Sequence, residues 1–188
     1  MATTADFRNG MVIELDGGLY AITYFQHVKP GKGGAFVRTK LKNVLTGAVT
    51  DQTFRAGEKV DEVRLVRRPV QYSYTDGQFY YFMDEETFEQ IPLPAETIGE
   101  DQLVFLKENM VCEALTRDGS PISVELPFFV TLEVIETEPG VRGDTAQGGT
   151  KPAKLETGAT VQVPLFIEIG DVIKVDRREN KYLERVSS

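Results

Sequence analysis

Cysteine occurs once in this chain, at position 112, histidine once, at position 27, and tryptophan not at all. A lone thiol excludes an internal disulfide and any zinc cage built from cysteines. With one imidazole, nucleophilic catalysis would have to pair His27 with Cys112 or with a serine. Cys112 lies in the alternating run Val111-Cys-Glu-Ala-Leu115 and reads as a packed side chain. Metal binding would fall to carboxylates. The cluster Asp84-Glu85-Glu86 lacks the glycine and spacing of a calcium loop, so an exposed acidic turn is expected there. No apolar run reaches the length of a membrane span, and Met1–Arg8 has no apolar signal-peptide core. These absences point to a cytoplasmic protein with no metal, no cofactor and no catalytic centre of its own.

What the chain does have is charge, unevenly spread. Over 188 residues, 41% are hydrophobic and 27% charged, with a net charge of −8. This is the composition of a globular chain rather than a disordered or fibrous one. Residues 1–65 carry a net +2, residues 66–128 a net −8 and residues 129–188 a net −2. Nucleic-acid binding is driven by cations, so the overall acidity would argue against it. Its confinement to the middle third leaves a basic end free to touch RNA.

The pattern along the chain is strands and turns. Met11–Leu15 alternates and turns at Asp16-Gly17-Gly18 into Leu19–Val28. Ala35–Val44 follows, then a turn at Leu45-Thr46-Gly47 into Ala48–Phe54. Gly57-Glu58-Lys59 breaks the pattern before a strand begins at Val63–Val66. The pattern restarts at Arg67: Val70–Tyr74 and Phe79–Met83 flank Asp76-Gly77, a two-residue hairpin signal. Asp84–Gln90 suggests a helical turn stopped by Pro92 and Pro94, and Thr97–Asn109 is a short helix candidate. Val111–Thr116 and Ile122–Leu126 flank Asp118-Gly119. After Pro127, Phe129–Glu136 alternates with Val130, Leu132 and Val134 on one face. A Gly/Pro/Thr-rich excursion covers Pro139–Ala153, and Val161–Ile167, Val172–Val175 and Tyr182–Val186 close the chain as strands. The spacing predicts a small five-stranded barrel followed by two oligonucleotide-binding-type barrels, with fresh starts near Arg67 and Phe129. A single large sandwich is the competing fold.

The stretch with functional content is His27-Val-Lys-Pro-Gly-Lys-Gly-Gly-Ala-Phe-Val-Arg38. Pro30 suits the second position of a turn and Gly31 the positive φ after it; Gly33 and Gly34 relax the chain before the next strand. Lys32 is thereby set at a hairpin tip without a bulky neighbour. A phosphate-cradling P-loop does not fit, because Gly33 stands where serine or threonine is needed, Gln26 where glycine is needed, and a strand follows. Schiff-base chemistry wants a desolvated amine, which a glycine-flanked tip opposes. Beyond the tip, Phe36, Arg38, Lys40 and Lys42 share one strand face. The residues alone leave two readings open, a solvated loop and strand face or a cationic footprint for a phosphate backbone.

This hairpin, Lys29-Pro-Gly-Lys32-Gly-Gly-Ala-Phe-Val-Arg38, resembles that of the bacterial translation elongation factor P family. So do Asp6-Phe-Arg-Asn-Gly10, Thr46-Gly47, Thr53-Phe54 and Glu86-Thr-Phe-Glu-Gln90. The stretch from Gly143-Asp-Thr-Ala through Gly148-Gly-Thr-Lys-Pro-Ala and Val161-Gln-Val-Pro-Leu-Phe-Ile to Gly170-Asp-Val-Ile-Lys-Val-Asp176 is similar to that family's C-terminal signature. The resemblance implies an all-β chain of three small β-barrel domains in an L-shaped arrangement. These would be a KOW-type barrel at 1–65, an acidic oligonucleotide-binding-type barrel at 66–128 and a second such barrel at 129–188. It implies a monomeric, non-enzymatic factor bound to the 70S ribosome beside the peptidyl-tRNA or initiator tRNA, relieving stalls at consecutive prolines. By the same resemblance a modifying enzyme extends Lys32. Lys29, Pro30, Gly31, Gly33, Gly34, Arg38, Lys40 and Lys42 would touch tRNA and ribosomal RNA. Gly143, Asp144, Thr145, Tyr182 and Arg185 would face mRNA and tRNA. Two rivals, a general RNA-binding tandem barrel and an enzyme using Lys32 covalently, do not account for the terminal signature.

Overall fold

The structure is a computed structural model describing residues 1–140 and 149–187. Its strands are β1 (Ala2–Thr3), β2 (Val12–Leu15), β3 (Gly18–Val28), β4 (Phe36–Asn43), β5 (Val49–Arg55), β6 (Lys59–Glu62), β7 (Leu65–Thr75), β8 (Phe79–Asp84), β9 (Gln90–Pro94), β10 (Val111–Arg117), β11 (Ser120–Glu125), β12 (Phe129–Thr137), β13 (Thr150–Leu155), β14 (Thr160–Pro164), β15 (Val172–Asp176) and β16 (Lys181–Ser187). They form three sheets, in the orders β1-β6-β2-β3-β4-β5, β11-β10-β7-β8-β9 and β14-β13-β12-β15-β16. The chain divides into two compact units, Met1–Val66 with Thr116–Pro121, and Arg67–Leu115 with Ile122–Ser188.

In the first unit the alternation of β4 decides which side is core. Val37, Thr39 and Leu41 are buried while Arg38, Lys40 and Lys42 are exposed. The buried set packs with Phe7, Met11, Ile13, Ile22, Phe54 and Val60, and Phe7 meets Phe54 edge to face at 5.4 Å. Each such side chain withdrawn from water contributes about 1.5–3 kcal/mol. Asp16 and Gly17 both have positive φ, 50° and 80°, the signature of the tight turn joining β2 to β3.

The core of the second unit is one continuous cluster that includes Val70, Phe82, Leu126, Leu132, Leu155, Val163 and Ile173. Its last sheet bends until the edge strands β14 and β16 approach, and Asn180 Nδ2 donates to the Thr160 carbonyl at 3.1 Å.

Several expectations need correction. Lys59 begins β6 rather than breaking the pattern, because its residues pair with β1 and β2. β7 runs unbroken through position 67. Pro92 and Pro94 lie inside β9, tolerated because β9 is an edge strand with no ladder bonds to give on its outer side. Thr97–Asn109 is not a helix: Gly99, at φ 93°, separates two single turns, Ala95–Ile98 and Glu100–Leu103. Asp84–Gln90 contains no helix either. There Asp84 is buried and its Oδ1 accepts from the backbone N–H groups of Glu86 and Thr87, at 2.8 and 3.0 Å. The Asp76-Gly77 turn is longer than two residues, since Thr75 pairs with Tyr80 and the Asp76 carboxylate accepts from the N–H groups of Gln78 and Phe79. The excursion after Pro139 holds a full strand, β13, paired to β12 and β14.

Candidate nucleic-acid interface

β3 and β4 pair up to Val28↔Phe36, and residues 29–35 form the loop that joins them. The base of this loop is fastened by the Ala56 N–H, which donates to the Ala35 carbonyl at 3.1 Å. Lys29, Pro30, Gly31, Lys32, Gly33 and Gly34 are all exposed. The left-handed residue is Gly33, at φ 95°, not Gly31, so the turn is centred one step beyond Lys32. A Cβ added at Gly31, Gly33 or Gly34 would meet nothing within 4 Å. Among the described residues, the glycines on either side of Lys32 have open space around them, and Lys32 itself is exposed.

The outward face below this loop is wider than the sequence reading made it. Phe36, Arg38, Lys40 and Lys42 lie on it, with Arg55, Thr53, Asp51 and Val49 opposite them on β5. On the other side stand Val28, Gln26 and Tyr24, paired with Phe36, Arg38 and Lys40. The Arg38 guanidinium lies 5.4 Å from the Phe36 ring centroid. Lys40 has Asp51 at 3.9 Å, both well exposed, a pairing worth little in water. Arg55 and Tyr24 were missed. Simple alternation from Ile22 sends Tyr24 inward, but Thr23 is a bulge: the register passes from Ile22↔Leu41 to Tyr24↔Lys40, and the Thr23 hydroxyl donates to the Lys40 carbonyl. Tyr24 therefore faces out, 46% exposed, and its hydroxyl donates to Gln26 Oε1. No single-residue pattern announces a bulge.

His27 is exposed and meets Phe25 edge to face at 5.8 Å. Cys112 is a buried free thiol in the second unit. Burial pushes the Cys112 thiol up to about 12. Among the described residues, no group of three His, Cys, Asp or Glu side chains is placed to hold a metal ion.

In the second unit, Tyr182 is half-buried opposite Val175, and Arg185 is exposed opposite Ile173. Burial, the main cause, raises the Tyr182 phenol, and the Arg185 charge opposes it. The Arg185 guanidinium lies 5.3 Å from the Phe166 ring and 3.8 Å from the Asp171 carboxylate. Phe166, 58% exposed, is a further aromatic here that its apolar run hid. Gly143, Asp144 and Thr145 lie outside the described residues.

Comparison with known proteins supplies the remaining evidence. Residues 3–60 match the family model described as the elongation factor P KOW-like domain. Residues 65–124 match the elongation factor P OB domain, and residues 130–185 the elongation factor P C-terminal domain. The chain is 59% identical over 185 residues to a protein named elongation factor P from Moorella thermoacetica, covering 98% of this chain and 100% of that one. It is 56% identical to the elongation factor P of Caldanaerobacter subterraneus subsp. tengcongensis, covering 99% and 100%. Among solved structures, a translation initiation factor eIF-5A family protein from Naegleria fowleri aligns with TM-score 0.52 at 15% identity. It covers 66% of this chain and 96% of that one, a likeness of fold.

Proposed function

Because the chain belongs to the elongation factor P family, we propose that it acts on the ribosome beside the peptidyl-tRNA and relieves stalling at consecutive prolines. Its all-β, KOW-like and OB make-up is that of a translation elongation factor. The observation that carries the finer reading is the solvated lysine at an uncrowded loop, held by paired strands against a packed core. Proline attacks poorly because its position is poor, so a factor that helps it need not supply a base. It needs to hold the tRNA's acceptor end in a near-attack geometry, a contribution of orientation. Lys32 is the residue for that contact, and an enzymatic extension of its amine lengthens the reach. Lys29, Arg38, Lys40 and Lys42, with Arg55 beside them, track the RNA backbone. The net −8 of residues 66–128 disfavours a phosphate-backbone footprint across that stretch as a whole. In this reading the factor is a cytoplasmic monomer of three domains, at 1–65, 66–128 and 129–188. Gly143, Asp144, Thr145, Tyr182 and Arg185 face the mRNA and tRNA.

The test is translation in a reconstituted system of a reporter containing three consecutive prolines, beside one without them. Lys32→Ala is expected to abolish the stimulation at prolines and leave the second reporter unchanged. An unchanged proline reporter would remove Lys32 from the mechanism. Mass spectrometry of the Lys32 peptide from the native organism identifies the added group.

A further inference from the structure

We propose that Phe128, Phe129, Lys174 and Arg178 form a second RNA contact, a platform on which an unpaired base stacks. It goes beyond the reading above, since it does not use Lys32 and its test does not involve translation. Phe128 and Phe129 are adjacent, yet both rings stay open to solvent, at 44% and 48% exposure. In a strand one of two neighbours normally turns inward. Phe129 opens β12 on the outward side, while Val130, Leu132 and Val134 fill the core.

Two cations stand close to these rings. The Arg178 guanidinium lies 4.2 Å from the Phe128 centroid and 5.5 Å from that of Phe129. Its Nε and one terminal nitrogen donate to the two oxygens of Asp176, at 3.2 and 3.0 Å. Two bonds to one carboxylate fix the plane of a guanidinium, and 46% of the side chain stays exposed. Lys174 Nζ stands 5.3 Å from the Phe129 centroid and has no carboxylate within 4 Å among the described residues. Arg177 plays a different part. Nearly buried, it donates to the carbonyls of Leu126 and Pro127 and so fastens the backbone that carries both rings. Phe128 also lines an open cavity of about 400 Å³ with Arg67, Arg68, Val111 and Leu126. The acids of that cavity, Glu113 and Glu125, each face an arginine, at 2.6 and 3.5 Å.

Charge and shape favour single-stranded RNA as the occupant. An unstacked base takes an aromatic face or a guanidinium plane, and an unpaired ammonium beside it takes the phosphate. A duplex, gripped by its phosphates, would need the cations but not two open phenyl rings.

The experiment is fluorescence anisotropy of a short labelled oligouridylate with the full chain at low ionic strength. Replacing Phe128 and Phe129 together by alanine is expected to weaken binding about tenfold or more. Arg178→Lys, which keeps the charge and loses the plane, weakens it several-fold. Lys174→Ala makes the salt dependence shallower by about one unit of log–log slope. Circular dichroism checks that each variant folds, and 4-thiouridine crosslinks should map to the Phe128-Phe129 peptide. Failure of the native chain to bind, binding unaltered by the double change, or crosslinks confined to the Lys32 loop would each overturn the proposal.

Discussion

Phe88 is the residue most at odds with its own backbone. It sits at φ 62°, in the region that costs a side chain with a Cβ about 1–2 kcal/mol, and it is 72% exposed, so little burial offsets the strain. Phe88→Gly should raise stability by about 1 kcal/mol, read as an upward shift of the urea midpoint with unchanged slope; a loss of stability would mean the ring packs more than its exposure implies. Cys112 gives a second prediction. Its thiol is held protonated by burial, up to about 12, against about 8.5 in an unfolded chain. The stability this contributes is complete below about pH 8.5 and is lost as pH rises toward the folded value. The thiol should resist maleimide near pH 8 in the folded chain and react promptly in guanidinium chloride. The burial of Cys112 was legible from Val111-Cys-Glu-Ala-Leu115, whose alternation the structure keeps. That of Asp84 was not, because a carboxylate inside an acidic run reads as solvated until the backbone donors that hold it are seen.

At the scale of the element, turns built on carboxylates decide how the sheets respond to acid. Asp84 is held below the usual carboxylate range first by the Thr87 N–H, then by the Glu86 N–H and the Arg68 charge, with burial opposing. Asp176 is lowered chiefly by the Arg178 side chain, and Asp76 by the N–H of Phe79 and the Tyr81 hydroxyl. Depressed carboxylates stabilise the fold above their unfolded value, about pH 4, and that contribution is lost as pH falls through the lower folded value. Asp84→Asn should therefore flatten the acid limb of a stability–pH curve below about pH 4; an unchanged limb would rule Asp84 out as a contributor. Within β12, Leu132→Ala should cost about 2–5 kcal/mol, since its side chain is fully buried. The strands themselves were largely readable: β4, β10 and β12 fall where alternation puts them, and β3 has its expected extent though not its expected facing beyond Thr23. β6, β9 and β13 were not. β6 takes its identity from partners distant in sequence, β1 and β2, and β9 and β13 carry prolines that local rules assign to breaks. In β13, pairing to β12 ends at Ala153, so Pro152 withholds no bond from that neighbour.

On the scale of the whole molecule, two features organise behaviour, the segregated charge and the fastening by Arg177. With −8 concentrated at 66–128 and +2 at 1–65, the basic face of the first unit should contribute to the salt dependence of ribosome binding. Alanine at Arg38, Lys40 or Lys42 should each make the log–log slope of ribosome binding shallower by about one unit, and alanine at the exposed Glu100 or Glu108 should leave it unchanged. Arg177→Ala would strip donors from the carbonyls of Leu126 and Pro127, at a cost of about 1–3 kcal/mol, measurable as a lower thermal midpoint. No pattern in the sequence separates Arg177 from Arg178, although one is nearly buried and the other exposed. That difference arises from where the chain runs at Leu126–Phe128, which only the tertiary structure supplies.

Thr23, the extra residue in β3, works as a phase shifter for the strand that leads to Lys32. Below it the inward side carries Ile22; above it the inward side carries Phe25, and Tyr24 and Gln26 are rotated toward the cations of β4. Deleting this one residue would leave Ile22↔Leu41 and Tyr24↔Lys40 as consecutive pairs, so the distal half of β3 would keep its sides and lose only the local kink and extra twist of the bulge. A paired insertion, one residue in each strand on either side of the loop, would carry the lysine to the opposite side, whereas two in each would only move it farther out.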